Sequence, residues 1–175
     1  GGPTVLSYFK QFGSQHLKGL GLVDITPFPF SPEAWNSQGL HGYNMDGFNA
    51  QVNALVNDRL AFYGVLANNI FYGGKKPEGV EWIIEEFKKL PPWISAAIYS
   101  DYLSSDYTDV LPTITVPTLV VSANSPVFSD GINQGKHIAA QIPNAKFVPF
   151  IESGHMLMYE EADKFNKTVT DFMFD

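Results

Sequence analysis

Four histidines are spread along the chain, at positions 16, 41, 137 and 155, and only His155 stands in a setting that suggests chemistry. It follows Gly154 in "ESGHMLMYEEADKF", between an apolar run and a final amphipathic stretch. An imidazole is the side chain best suited to take and return a proton near neutral pH. A base of this kind needs an attacking group to deprotonate and a carboxylate to fix its tautomer. Metal chemistry finds no support. The sequence has no H-x-x-x-H, no H-E-x-x-H and no cysteine. "FYGGKK" lacks the spacing and the Ser or Thr of a phosphate loop. No cofactor is expected.

The elements that must position His155 show in the hydrophobic periodicity. "PTVLSYFKQF" predicts a helix, with Pro3 in its first turn, Leu6 with Phe9 and Val5 with Phe12 near helical spacing, and Gly13 ending it. Leu20 to Ile25 reads as a buried strand stopped by Pro27, with Asp24 at its C-terminal end. "TITVPTLVVSAN" is β-branched and apolar over Val116 to Val121, and predicts a second strand. "GKHIAAQI" predicts a helix and "AKFVPFI" a third strand. The segment after His155 predicts an amphipathic helix with Phe165, Val169 and Phe172 inward.

Between 28 and 112 the composition turns aromatic. Two helices are predicted there, "MDGFNAQVNALVNDRLAFYGVLANNIF" and "PEGVEWIIEEFKKL". The second is acidic at its start and ends in Lys88 and Lys89, as the helix dipole favours. The order is helix, strand, helical insert, strand, helix, strand, helix. It predicts an α/β fold, a parallel sheet flanked by helices.

The 175 residues, 45% of them hydrophobic, suit one domain with an ordinary core. The net charge of −7 argues against a nucleic-acid partner, which would need clustered Lys and Arg. No run approaches the roughly 18 apolar residues of a membrane span. The absence of cysteine is compatible with a reducing compartment, so a cytoplasmic location is expected.

Three pieces in this order resemble the C-terminal part of an α/β-hydrolase. "ITVPTLVVSAN" is similar to the family's penultimate core strand. "IPNAKFVPFIESGHMLMYEEADKFNKTVTDFM" resembles its last strand, the "GH" loop and the closing helix. "GGPTVLSYF" followed by "GLGLVDITP" resembles the helix after the nucleophile elbow and the next strand. The resemblance implies core at 1–27 and 113–175 and a helical cap or lid insertion at 28–112. The resemblance is to the esterase and cofactor-free haloperoxidase-like side of the superfamily.

In that family the nucleophile lies in G-x-S-x-G, which occurs nowhere in these residues, and Gly1 and Gly2 match the end of the motif. The resemblance therefore implies a serine supplied from outside the 175 residues. A companion polypeptide or a preceding segment would carry it, together with the remaining strands. His155 matches the family's base. For the acid, most members use the loop after "PTLVV", here "SANSPVFSDG", where Asn124, Ser125 and Pro126 fall at the carboxylate's place. Asp24, at the end of the preceding strand, is the acid expected here, with Asp130 as the alternative. The expected activity is a serine hydrolase acting on carboxylic esters of hydrophobic small molecules. Phe28, Trp35, Phe62, Trp93 and Met156 are expected to line its pocket. Two other readings stay open. One is a different reaction on the same fold (perhydrolase or haloperoxidase, carbon–carbon hydrolase, dehalogenase). The other is a ligand-binding relative without catalysis.

Overall fold

The computed structural model describes residues 1–174. Its centre is a parallel sheet of three strands, β1 (Leu20–Val23), β2 (Thr118–Ala123) and β3 (Ala145–Phe150), in the order β1-β2-β3. Leu22 pairs with Val120, and Val120 with Phe147. Every residue of β2 is buried. That is why it reads as an uninterrupted apolar run: a parallel strand covered on both faces has no polar side to alternate with.

Helices α1 (Gly2–Phe12) and α6 (Gly131–Gln141) cover one face, where Leu6, Phe9, Leu20, Leu22, Val120 and Ile138 form one core cluster. On the other face Leu119, Val121, Ala123 and Phe150 pack with Leu157. Leu157 opens the short α7 (Leu157–Glu160), and α8 (Ala162–Phe174) adds Phe165, Val169 and Phe172 to this cluster as expected. Alternate β2 residues thus face opposite layers, as the strand's two-residue period requires. No helix among the described residues is long and apolar enough to cross a membrane.

The stretch between β1 and β2 is helical but divided more finely than its pattern predicts. The long helix expected over 45–71 is two, α2 (Met45–Asn57) and α3 (Arg59–Asn69). They break at Asp58, whose φ of −135° and ψ of 45° leave the helical region. The helix expected from Pro77 begins later, as α4 (Trp82–Lys89), because Gly79 turns the chain at φ 82°. A further helix, α5 (Pro92–Ser104), was not expected. Its apolar residues run round the whole circumference and leave no stripe to read. Ala67, Ile70, Phe71, Val80 and Ile83 give the insert a core of its own, and Met156 packs against it from the His155 loop.

Candidate active site

The C-terminal ends of all three strands converge on one hydrogen-bonded pair. Asp24 directly follows β1, and its amide extends the ladder to Val121 O at 2.8 Å. Its carboxylate is buried and bridges two partners. Oδ1 accepts from the Ala123 amide at the end of β2 at 3.0 Å, and Oδ2 meets His155 Nδ1 at 2.8 Å. His155 arrives from β3 through a short loop and keeps 37% of its side-chain surface exposed. The Phe128 ring packs against it, with centroids 5.5 Å apart.

An ionised carboxylate only accepts, so Nδ1 carries the proton in this bond, and in the neutral ring Nε2 then keeps its lone pair. Nε2 has no hydrogen-bond partner among the described residues. This is the tautomer a general base requires. Asp24 is also the one non-glycine residue described with positive φ, at 45°. Asp and Asn tolerate this left-handed region better than most residues, and strained backbone of this kind clusters at functional sites.

The alternative acid, Asp130, is not brought to His155. It is exposed at the start of α6 and accepts from Asn133 Nδ2 at 2.8 Å. Asn124 and Ser125 serve the loop after β2. Asn124 Oδ1 accepts from the Ile132 amide at 3.0 Å, and Ser125 Oγ from the Phe128 amide at 3.3 Å.

The loop bearing His155 is fastened by two residues that look unremarkable in the sequence. Glu160 accepts from the amides of Gly154 at 2.8 Å and Tyr72 at 2.9 Å. Glu161 accepts from Ser153 Oγ at 2.7 Å and the Glu152 amide at 3.2 Å. Burial works to raise the Glu161 pKa, but hydrogen bonds from Ser153, Lys164 and the Glu152 amide, with the Lys164 charge, outweigh it and hold it below the ordinary glutamate value. Acidic residues near a helix start are expected from the dipole alone, so nothing in the sequence marks this pair as a clamp.

Helix α1 brings its N-terminus to the same edge of the sheet. Gly2 lies so close to Ile25, the residue after Asp24, that a Cβ there would be 2.6 Å from Ile25 Cγ2. Beside it opens a cavity of about 780 Å³ that reaches Gly1 and Pro3 and runs among Tyr8, Phe62, Tyr63, Phe87, Tyr99 and Tyr102. Its charged lining residues are Glu86 and Asp101, with no cation among the lining side chains. Burial, and then Tyr43, push the Tyr99 phenol up to about 12. Tyr102 is raised by burial and further by Tyr99 and the Asp24 charge, and it donates to Gln38 Oε1 at 3.0 Å. Both phenols are therefore neutral donors near neutral pH.

Of the five residues expected to line a pocket, only Phe62 borders this cavity. Trp93 is 71% exposed in the first turn of α5. Phe28 and Trp35 border a separate recess of about 330 Å³, where Trp35 stacks on His137 with the rings 3° from parallel. Met156 is turned into the insert's core. No group of His, Asp and Glu among the described residues is arranged to hold a metal ion.

Comparison with known proteins bears on the fold. No family model matches the chain. It is 25% identical over 99% of its length to a non-heme haloperoxidase of Rhodococcus erythropolis, of which it spans 64%. All of it superimposes on 64% of a bromoperoxidase from Bacillus anthracis, with a TM-score of 0.86 at 20% identity. An esterase from Exiguobacterium antarcticum matches over the same shares, with a TM-score of 0.84 at 22% identity. By these superpositions the chain has the α/β-hydrolase fold. It spans 64% of the length of these relatives.

Proposed function

We propose that this chain carries the acid and the base of a serine hydrolase that acts on carboxylic esters of uncharged, hydrophobic small molecules. The observation that carries the reading is the buried Asp24 carboxylate, held by the Ala123 amide and bonded to His155 Nδ1 at 2.8 Å. His155 would take the proton of a serine supplied from outside residues 1–175, then return it to the leaving alcohol. Asp24 would hold the imidazole and stabilise its charged form. Helices of the 28–112 insert would cap the site, with the cavity beside Gly1 receiving the apolar part of the ester. The lining that these residues supply is largely aromatic and aliphatic, which suits an apolar, uncharged group.

The test uses the polypeptide that contains this chain together with its nucleophile. A fluorophosphonate probe should add its mass to that polypeptide, and His155→Ala should abolish the labelling. Uncharged p-nitrophenyl esters should be cleaved well ahead of analogues ending in a carboxylate. No labelling and no turnover would sink the reading.

A second reading keeps the same residues. Two of the similar proteins are named as peroxidases, so the acyl-enzyme could be released by hydrogen peroxide to give a peracid instead of by water to give an acid. Turnover of a carboxylic acid with peroxide, lost in His155→Ala, would favour it.

A further inference from the structure

The residues on either side of His155 are both tied to the helical insert. Glu160, at the end of α7, accepts from the Gly154 amide through Oε2 and from the Tyr72 amide through Oε1. On the other side of the base, the Met156 amide donates to Ile70 O at 3.1 Å. Between these bonds the two backbones touch. A Cβ on Gly154 would lie 2.6 Å from the Phe71 carbonyl carbon and 2.7 Å from Tyr72 N. Glu161 holds the start of the same loop, but its partners Glu152, Ser153 and Lys164 all lie outside the insert.

We infer that Glu160 is a positioning residue that couples the base to the insert, so that His155 keeps its place against Asp24 only while residues 70–72 are seated. This rests on the reading of His155 as the base. A carboxylate suits the task because both donors are backbone N–H groups and each needs an acceptor oxygen. Glutamine can satisfy one of them and must turn an NH₂ donor toward the other. The coupling makes base geometry depend on the insert that would cover the substrate. Opening of that insert would therefore relax the base.

Two variants of the polypeptide containing this chain and its nucleophile test the inference. Glu160→Gln breaks one arm of the bridge. Tyr72→Pro removes the insert's donor and also sets a ring carbon beside Gly154, so it disturbs the same contact from the insert's side and supplies a second reading if the first variant folds poorly. Proline is tolerated there because Tyr72 opens a 3₁₀ turn and Phe71 is already extended, at φ −98° and ψ 161°. Tyr72 is 54% exposed, so losing its ring removes little packing.

Two quantities are read on folded protein. One is kcat against KM for an uncharged ester. The other is the low-field proton resonance of the His155 Nδ1–H to Asp24 bond, which needs no turnover. Each variant is expected to lose kcat by about tenfold to a hundredfold, the scale of a misplacement near 1 Å, with KM little changed and the resonance broadened or lost. If kcat and the resonance both persist while only the thermal midpoint falls, Glu160 is a structural clamp and the inference is overturned. If the unmodified protein neither labels nor turns over, the base reading falls and the resonance alone decides. Its loss in both variants still supports the coupling, and its persistence overturns it.

Discussion

Asp24→Asn separates the role of the acid's charge from that of its shape. Asn tolerates the left-handed backbone at φ 45° as Asp does, so the turn itself should survive. The side chain then has one acceptor oxygen for two partners that both donate, the Ala123 amide and His155 Nδ1–H. Ala123 is fully buried, and an amide left unpaired there costs about 1–3 kcal/mol. The oxygen should therefore stay on Ala123 and present the NH₂ to His155. Nδ1 must then accept, the proton moves to Nε2, and the base is blocked.

The cost of that tautomer in a Ser-His-Asp system is on the order of 10⁴ in kcat, equivalent to about 5.5 kcal/mol. KM should change little, because nothing that holds the ester has moved. The assay is hydrolysis of an uncharged p-nitrophenyl ester by the polypeptide containing this chain, with Asp130→Asn as the control. The Asp130 side chain accepts from Asn133 and is not brought to His155, so its variant should keep full activity. Activity within about tenfold in Asp24→Asn, with a large loss in Asp130→Asn, would refute the reasoning.

Three further outcomes follow from the same geometry. Gly154→Ala must push the His155 loop off residues 70–72, which should cost about 1–3 kcal/mol by overpacking and lower kcat, read by thermal melting and the ester assay. Glu161 is held below the ordinary glutamate value in the fold, so its contribution is complete above that value and is lost as pH falls through the lowered one. Glu161→Gln should therefore flatten the acid limb of a melting-temperature profile while barely changing its slope near neutral pH. Phe150→Ala removes a fully buried ring that touches Phe165 and lies under the Lys164 ammonium, and should cost about 3–5 kcal/mol by chemical denaturation.

The elements that proved legible are those whose environment imposes a pattern. β2 is buried on both faces and reads as an unbroken apolar run, and Phe165, Val169 and Phe172 keep the spacing of a helix packed on one side. The insert was less legible. Asp58 breaks a helix that apolar spacing would carry through, and α5 is apolar all round, so neither boundary leaves a period to detect. The site divides in the same way. The resemblance pointed to His155 and, ahead of Asp130, to Asp24; the structure adds that Asp24 lies 2.8 Å from the imidazole and that Asp130 is not brought to it. Glu160 and Glu161 satisfy a simple helix-start rule, which hid their contacts to the backbone before them. Aromatic composition pointed to a pocket without saying which rings border it. Phe62 faces the large cavity, whereas Trp93 stands in solvent.

How parallel strands end explains how a carboxylate placed after β1 reaches His155. Val23 pairs with Val121, so Asp24 reaches the sheet's edge opposite Ser122, in the strand next to β2. Neighbouring strands lie about 4.8 Å apart, within reach of one carboxylate side chain. A carboxylate at the end of either strand can thus serve an imidazole delivered from β3, provided the backbone aims it. At Asp24 the left-handed turn supplies the aim, and the Ala123 amide holds the oxygen that His155 does not use. The loop after β2 is then free of the task, and Asn124 and Ser125 use their side chains to close the turn into α6 instead. Under the proposed function a carboxylate would be dispensable after β2, because the neighbouring strand already presents one at hydrogen-bonding distance.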